Sequence, residues 1–109
     1  MIVEMRTYTL ALGATGRYFK LYGEKGLAVQ KRILGHLVGY YAVEVGALNQ
    51  VIHLWAYDSL DDRAKRRAAL WADAEWLAYI AEGRDLGYVV KQENQILTPA
   101  PFFDVPPPA

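Results

Sequence analysis

The chain contains no cysteine. Disulfide staples, thiolate nucleophiles and cysteine-based metal sites are therefore excluded. It also lacks an excess of charge, because twelve Lys and Arg balance twelve Asp and Glu. Without a positive excess there is no long-range field to draw in nucleic acid or an anionic membrane. Even the basic run Lys65-Arg66-Arg67 is answered by Asp58, Asp61, Asp62 and Asp73 nearby. Histidine is scarce: the chain has two, His36 and His53, at no metal-ligand spacing, so no metal site is expected. No apolar run approaches the roughly 20 residues that span a bilayer. Charges interrupt the first apolar residues between Met1 and Arg6, so no signal peptide is read there. Gly13-Ala14-Thr15-Gly16 lacks the Lys a phosphate-binding loop needs. These absences lead to the expectation of a cytoplasmic protein that needs no cofactor and binds neither nucleic acid nor membrane.

What the chain has in quantity is aromatic surface. Aromatic residues make up 13% of its 109 residues, with eight Tyr and three Trp. A single domain of this size buries only about two-thirds of its unfolded surface. Part of the aromatic surface is therefore expected in a pocket or against a partner.

Residues 2–9, β-branched and aromatic with Glu4 and Arg6 two apart, predict a strand. Thr15 is the expected cap of a helix running from Arg17 to about Leu34, weakened at Gly23 and Gly26, where a kink or break is expected. Leu37–Val45 and Asn49–Tyr57 predict a hairpin around Gly46. Asp58 or Ser59 caps the next helix, with Asp62 at capping-box spacing from Ser59. Asp73 caps a short helix expected to end at Gly83, and residues 86–97 form the last strand. The order β-α-β-β-α-β predicts an α+β, ferredoxin-like fold, with both helices on one face of a four-stranded antiparallel sheet. One domain is expected over residues 1–103, followed by a Pro-rich tail, 104–109.

On the third strand, Ile52, Leu54 and Ala56 are expected to pack under the helices, with Val51, His53, Trp55 and Tyr57 on the opposite face. Two large aromatics on an uncovered face would mark an interface, so a homodimer is expected.

The ordered motifs resemble those of the NIPSNAP family over nearly the whole chain. They comprise Glu4-Met5-Arg6-Thr7-Tyr8, Gly39-Tyr40-Tyr41 with Glu44 to Asn49, and His53-Leu54-Trp55-Ala56-Tyr57-Asp58-Ser59-Leu60. Arg63, Arg67, Leu70, Asp73, Trp76 and the ending from Gln92 to Phe102 complete the set. The resemblance implies a fold similar to the dimeric α/β-barrel proteins, which include cofactor-independent monooxygenases, muconolactone isomerases and chlorite dismutases. It carries over no reaction.

His53 is the candidate general base, since histidine alone titrates unperturbed near neutrality; the competing reading is a hydrogen-bonded structural histidine. Arg6 and Tyr8 are candidates to clamp a carboxylate or enolate, set against a polar network of Glu4 and Arg6 with Glu44, Gln92 and Asn94. Arg63 and Arg67, one helical turn apart, would rim a site for a planar anion with Trp71 and Trp76, or else pair with Asp58, Asp73 or Glu75. Tyr40, Trp55 and Tyr57 complete the candidate ligand-binding set, and Tyr18, Tyr22 and Tyr79 are candidates for aromatic lining. Two functions compete. One is a small-molecule site for cofactor-independent oxidation or isomerisation of an aromatic or unsaturated acid. The other is a non-catalytic dimeric binding or scaffold module.

Overall fold

A computed structural model describes residues 1–108. Strand β1 (Ile2–Leu10) leads into helix α1 (Thr15–Leu21), a π-helical turn (Tyr22–Gly26) and helix α2 (Leu27–Leu34). The hairpin β2 (His36–Ala42) and β3 (Gln50–Tyr57) follows, then α3 (Leu60–Leu70), α4 (Ala74–Leu86) and β4 (Val89–Leu97). The strand order is β2-β3-β1-β4, with every neighbouring pair antiparallel. This is the expected ferredoxin-like α+β fold, and the molecule is only 22 Å deep, one sheet with one layer of helices. No helix among the described residues is long and apolar enough to cross a membrane.

Local chemistry explains most boundaries. The Ser59 hydroxyl accepts from the Asp62 amide at 3.0 Å, and Asp73 Oδ1 accepts from the Trp76 amide at 3.1 Å, so both expected caps form. Thr15, by contrast, is the first residue of α1 and caps nothing; Ala14 takes the cap position with no side-chain bond. The expected break near Gly23 and Gly26 takes the form of the π-helical turn. A Cβ on Gly26 would lie 2.8 Å from Tyr22 Cδ1 and 3.2 Å from Tyr79 Cε1, so only glycine lets these two rings close over the helix. Helix α4 runs through Gly83 to Leu86 and ends at Gly87, whose φ of 63° suits a glycine C-cap.

The strand faces are the reverse of the expectation. Val51, His53, Trp55 and Tyr57 are buried under the helices, packed with Tyr18, Val29, Leu34 and Leu70. Ile52 and Leu54 are half-buried on the helix-free face. Both sets are apolar, so strand alternation separated them without saying which side is inner. Burying the larger aromatic set removes more apolar area from water, and that set won. Trp55, fully buried within one chain, is therefore no part of an exposed dimer patch.

Candidate functional site

Because opposed residues share a face, the register Glu4↔Trp55, Arg6↔His53 and Tyr8↔Val51 puts Glu4, Arg6 and Tyr8 under the helices as well. Glu4 lies on the central pair of strands and is completely buried. Its Oε2 accepts from Arg63 Nη2 at 2.7 Å, Asn94 Nδ2 at 2.8 Å and Arg6 Nη1 at 3.1 Å. Burial alone would raise this carboxyl. The hydrogen bonds from Arg63 and Asn94, with the charges of Arg6 and Arg63, outweigh it and hold the group at about 2. Arg6 is held further by donating Nε to the Tyr8 hydroxyl at 3.0 Å.

Arg67 lies one turn beyond Arg63 on α3 and faces the same cluster, yet it makes no ion pair among the described residues. Burial and the charge of Arg6 depress its pKa. Arg6 and Arg63 thus share the single carboxylate of Glu4 while Arg67 has none, leaving a local surplus of two positive charges.

His53 stands beside them. Trp55 Nε1 donates to its Nδ1 at 2.7 Å. A neutral imidazole that accepts at Nδ1 carries its proton on Nε2, and that atom is buried with no partner among the described residues. Tyr40 stacks on the ring at 4.5 Å between centroids, and Tyr8 meets it edge-on at 4.8 Å. Burial, followed by the charges of Arg6 and Arg67, lowers its pKa to about 3. At neutral pH the ring is therefore uncharged and offers a donor. With Nδ1 occupied, the geometry suits it to hydrogen-bond an oxygen rather than to the base role expected from sequence.

A cavity of about 650 Å³ opens here between the helices and strands β1 and β4. Tyr18, Tyr22, Tyr40 and Tyr79 line it, with Trp71 and Trp76. Burial raises the pKa of all four of these tyrosines, so they remain protonated phenols. Among the described residues Arg6, Arg67 and Arg84 line it as cations, Lys91 borders it with its ammonium paired to Glu93 at 3.1 Å, and no Asp or Glu lines it.

The sequence candidates Arg6, Tyr8, Tyr40, His53, Arg67, Trp71 and Trp76 thus converge on one cavity. Trp55, Tyr57 and Arg63 stand behind it: Trp55 bonds His53, Arg63 bonds Glu4, and Tyr57 is buried close to the charges of Glu4, Arg67 and Arg63. Arg63 does not pair with the neighbouring acids; Asp73 binds Arg32 and Asp62 binds Arg66 instead. Sequence reasoning missed Arg84, Lys91 and Tyr88, which are brought in by the longer α4 and the strand that follows it. The one signal for them was helical spacing continuing past Gly83.

The burial of His53 has a consequence for stability. The unfolded chain protonates His53 near 6.5, whereas the native ring resists to about 3, so the unfolded state binds the extra proton between those values. Native stability is full above 6.5 and falls as pH drops through that window, by about 1.4 kcal/mol per pH unit for one proton. Glu4, depressed from 4.5 to about 2, adds a separate loss at lower pH. Urea unfolding across this range should show the decline, and His53→Gln should flatten the part above pH 4.5. An equal slope in both proteins would contradict the assignment.

Fold and site together define a ferredoxin-like α+β protein with a basic, aromatic-walled cavity beneath its helices. The NIPSNAP family model matches residues 3–104, and the chain belongs to the NIPSNAP family. It is 37% identical over 106 residues to human Protein NipSnap homolog 3A, a match covering 96% of this chain and 42% of that protein. Across four curated relatives, from Caenorhabditis elegans, mouse, orangutan and human, the chain spans 18% to 42% of their length. A NIPSNAP family protein of unknown function from Agrobacterium tumefaciens is 46% identical with a TM-score of 0.90, covering 96% of this chain and 93% of that one. An uncharacterised NIPSNAP-like domain protein from Burkholderia xenovorans is 39% identical with a TM-score of 0.91, covering 99% and 93%. A Nitrosomonas europaea protein described as a candidate antibiotic biosynthesis monooxygenase shares the fold alone, at 14% identity and a TM-score of 0.64 over 91% and 98%.

Proposed function

We propose that this NIPSNAP domain binds a small planar organic anion, an aromatic or unsaturated carboxylate, in the helix-side cavity, with Arg67 holding the charged end. The observation that carries this reading is the surplus of guanidinium charge: Arg6 and Arg63 take up the one buried carboxylate, Arg67 beside them has no ion pair, and no acid among the described residues lines the cavity. A half-buried cation without a counter-charge is costly. A carboxylate suits the planar fork of an arginine. The tyrosine and tryptophan walls suit a flat apolar body, as ligand cavities of this size usually do.

The chemistry that goes with this site is cofactor-independent oxidation or isomerisation of such an acid. His53, as a neutral N–H donor, would stabilise negative charge developing on a substrate oxygen. A second copy of the chain, in the cytoplasm, belongs to the same reading. It would cover the helix-free sheet face, where Ile52 and Leu54 are half-buried and Tyr41 is 60% exposed.

Benzoate and cinnamate are the direct probes. Each should raise the melting temperature and quench tryptophan fluorescence through Trp71 and Trp76, because a ligand bound only to the native state stabilises it. Benzyl alcohol, which lacks the charge, should do neither. Failure of both acids at millimolar concentration would leave the non-catalytic scaffold reading in place.

A further inference from the structure

We infer that Trp55 is a positioning residue for the cavity: its indole holds His53 in the Nε2–H tautomer, so the ligand must present an acceptor oxygen to that edge of the wall. The class of ligand rests on the anion-binding reading above; the tautomer lock does not.

An indole has a single polar group. Its N–H donates and never accepts. The 2.7 Å contact from Trp55 Nε1 to His53 Nδ1 therefore has one possible direction, and Nδ1 must be bare. Both residues are buried, at 0% and 1% exposure, so water cannot replace either partner. Rotating the imidazole would strand the indole N–H without an acceptor. Rotation also meets the stacked Tyr40 ring on one side and the Tyr8 edge on the other.

The remaining alternative is protonation of both nitrogens, and the charges around the ring oppose it. Facing His53 are Glu4, Arg6 and Tyr8 from β1, Tyr40 from β2 and Arg67 from α3. Two of these are cations. The one carboxylate is already engaged by Arg6, Arg63 and Asn94. The ring therefore stays neutral, with its proton on the edge that has no protein partner among the described residues.

The rest of the wall offers no anionic acceptor among the described residues. No carboxylate lines it, and the Gln30 side-chain oxygen is occupied by the Tyr22 hydroxyl. A ligand carboxylate or carbonyl oxygen meets cationic and N–H donors here, whereas a ligand ammonium meets arginines and no carboxylate among the described residues. Trp55 touches no ligand in this scheme and acts through His53.

Nitrogen-15 NMR of the full chain tests the lock without any ligand. Between about pH 5.5 and 8, His53 should show a protonated Nε2 and a bare, hydrogen-bonded Nδ1, with no titration across the range. A proton on Nδ1, or titration within that range, would overturn the inference. In Trp55→Phe, Nδ1 is released, so both tautomers should appear and the titration should move toward the ordinary histidine range. If that variant fails to fold, the wild-type spectrum still decides. Benzoate supplies the second arm: its affinity for the wild type should be flat over the same pH range. For Trp55→Phe it should tighten by about tenfold at the acidic end, where the freed ring gains charge. If the tautomer is as stated and benzoate does not bind, the ligand reading fails while the lock stands. If benzoate binds but Nδ1 carries the proton, the lock fails and the anion site survives.

Discussion

Glu4→Gln is expected to destabilise the fold by about 3–5 kcal/mol, the range found when one member of a buried ion pair is removed. A domain of this kind is stable by only about 5–15 kcal/mol, so the loss would be conspicuous in a urea titration. Glutamine keeps the shape of the side chain but removes its charge. Three donors converge on one oxygen, and two of them, from Arg6 and Arg63, are cationic. Without the carboxylate, two guanidinium groups face each other and Arg67 across a buried space. The cost arises mainly from those stranded cations rather than from the worth of the network itself. A double variant makes the distinction: Glu4→Gln with Arg63→Met should recover part of the stability, since replacing a whole buried pair by apolar groups is often nearly neutral. A loss below about 1 kcal/mol in the single variant would mean that Glu4 is solvated or that the cluster relaxes freely.

Arg67→Met should move binding and stability in opposite directions. Arg67 has no ion-pair partner among the described residues, and its charge is disfavoured by burial and by Arg6. Removing the charge relieves that strain while methionine keeps the apolar stem packed, so the melting temperature should rise. Benzoate affinity should fall by about ten- to a hundredfold, the equivalent of a charge-assisted hydrogen bond worth roughly 1.5–3 kcal/mol. A structural arginine would show the reverse pattern, with lower stability and unchanged binding. That outcome would remove Arg67 from the site.

Much of the architecture was legible in the residues. The π-helical turn fell where Gly23 and Gly26 interrupt the first helical run, and the caps at Ser59 and Asp73 formed where short polar side chains precede apolar spacing. The family motifs were legible for the same reason, because they sit in a fixed order along the chain. The site was legible only as a collection of parts. Arg6, His53 and Arg67 stood out as chemistry-bearing residues, and Glu4, Arg6 and Asn94 were expected in one polar network, but nothing in their spacing showed that Arg63 would join it while Arg67 stayed unpaired. The Glu4–Asn94 bond joins residues 90 positions apart, and only the pairing of β1 with β4 brings them together.

Element order, caps and breaks follow from interactions within a few residues, which is why the sequence alone determined them, together with family membership. The inner face of the sheet was a tertiary decision. On β3 the aliphatic and aromatic sets alternate, and each is apolar enough to serve as core. The helices settle the matter by supplying Tyr18, Tyr22, Tyr79 and Trp76, whose rings pack against the aromatic set and enclose the arginine cluster with it. Which apolar face is larger and better matched depends on what the rest of the chain places above it, and packing area summed over distant residues is not a property of any local window.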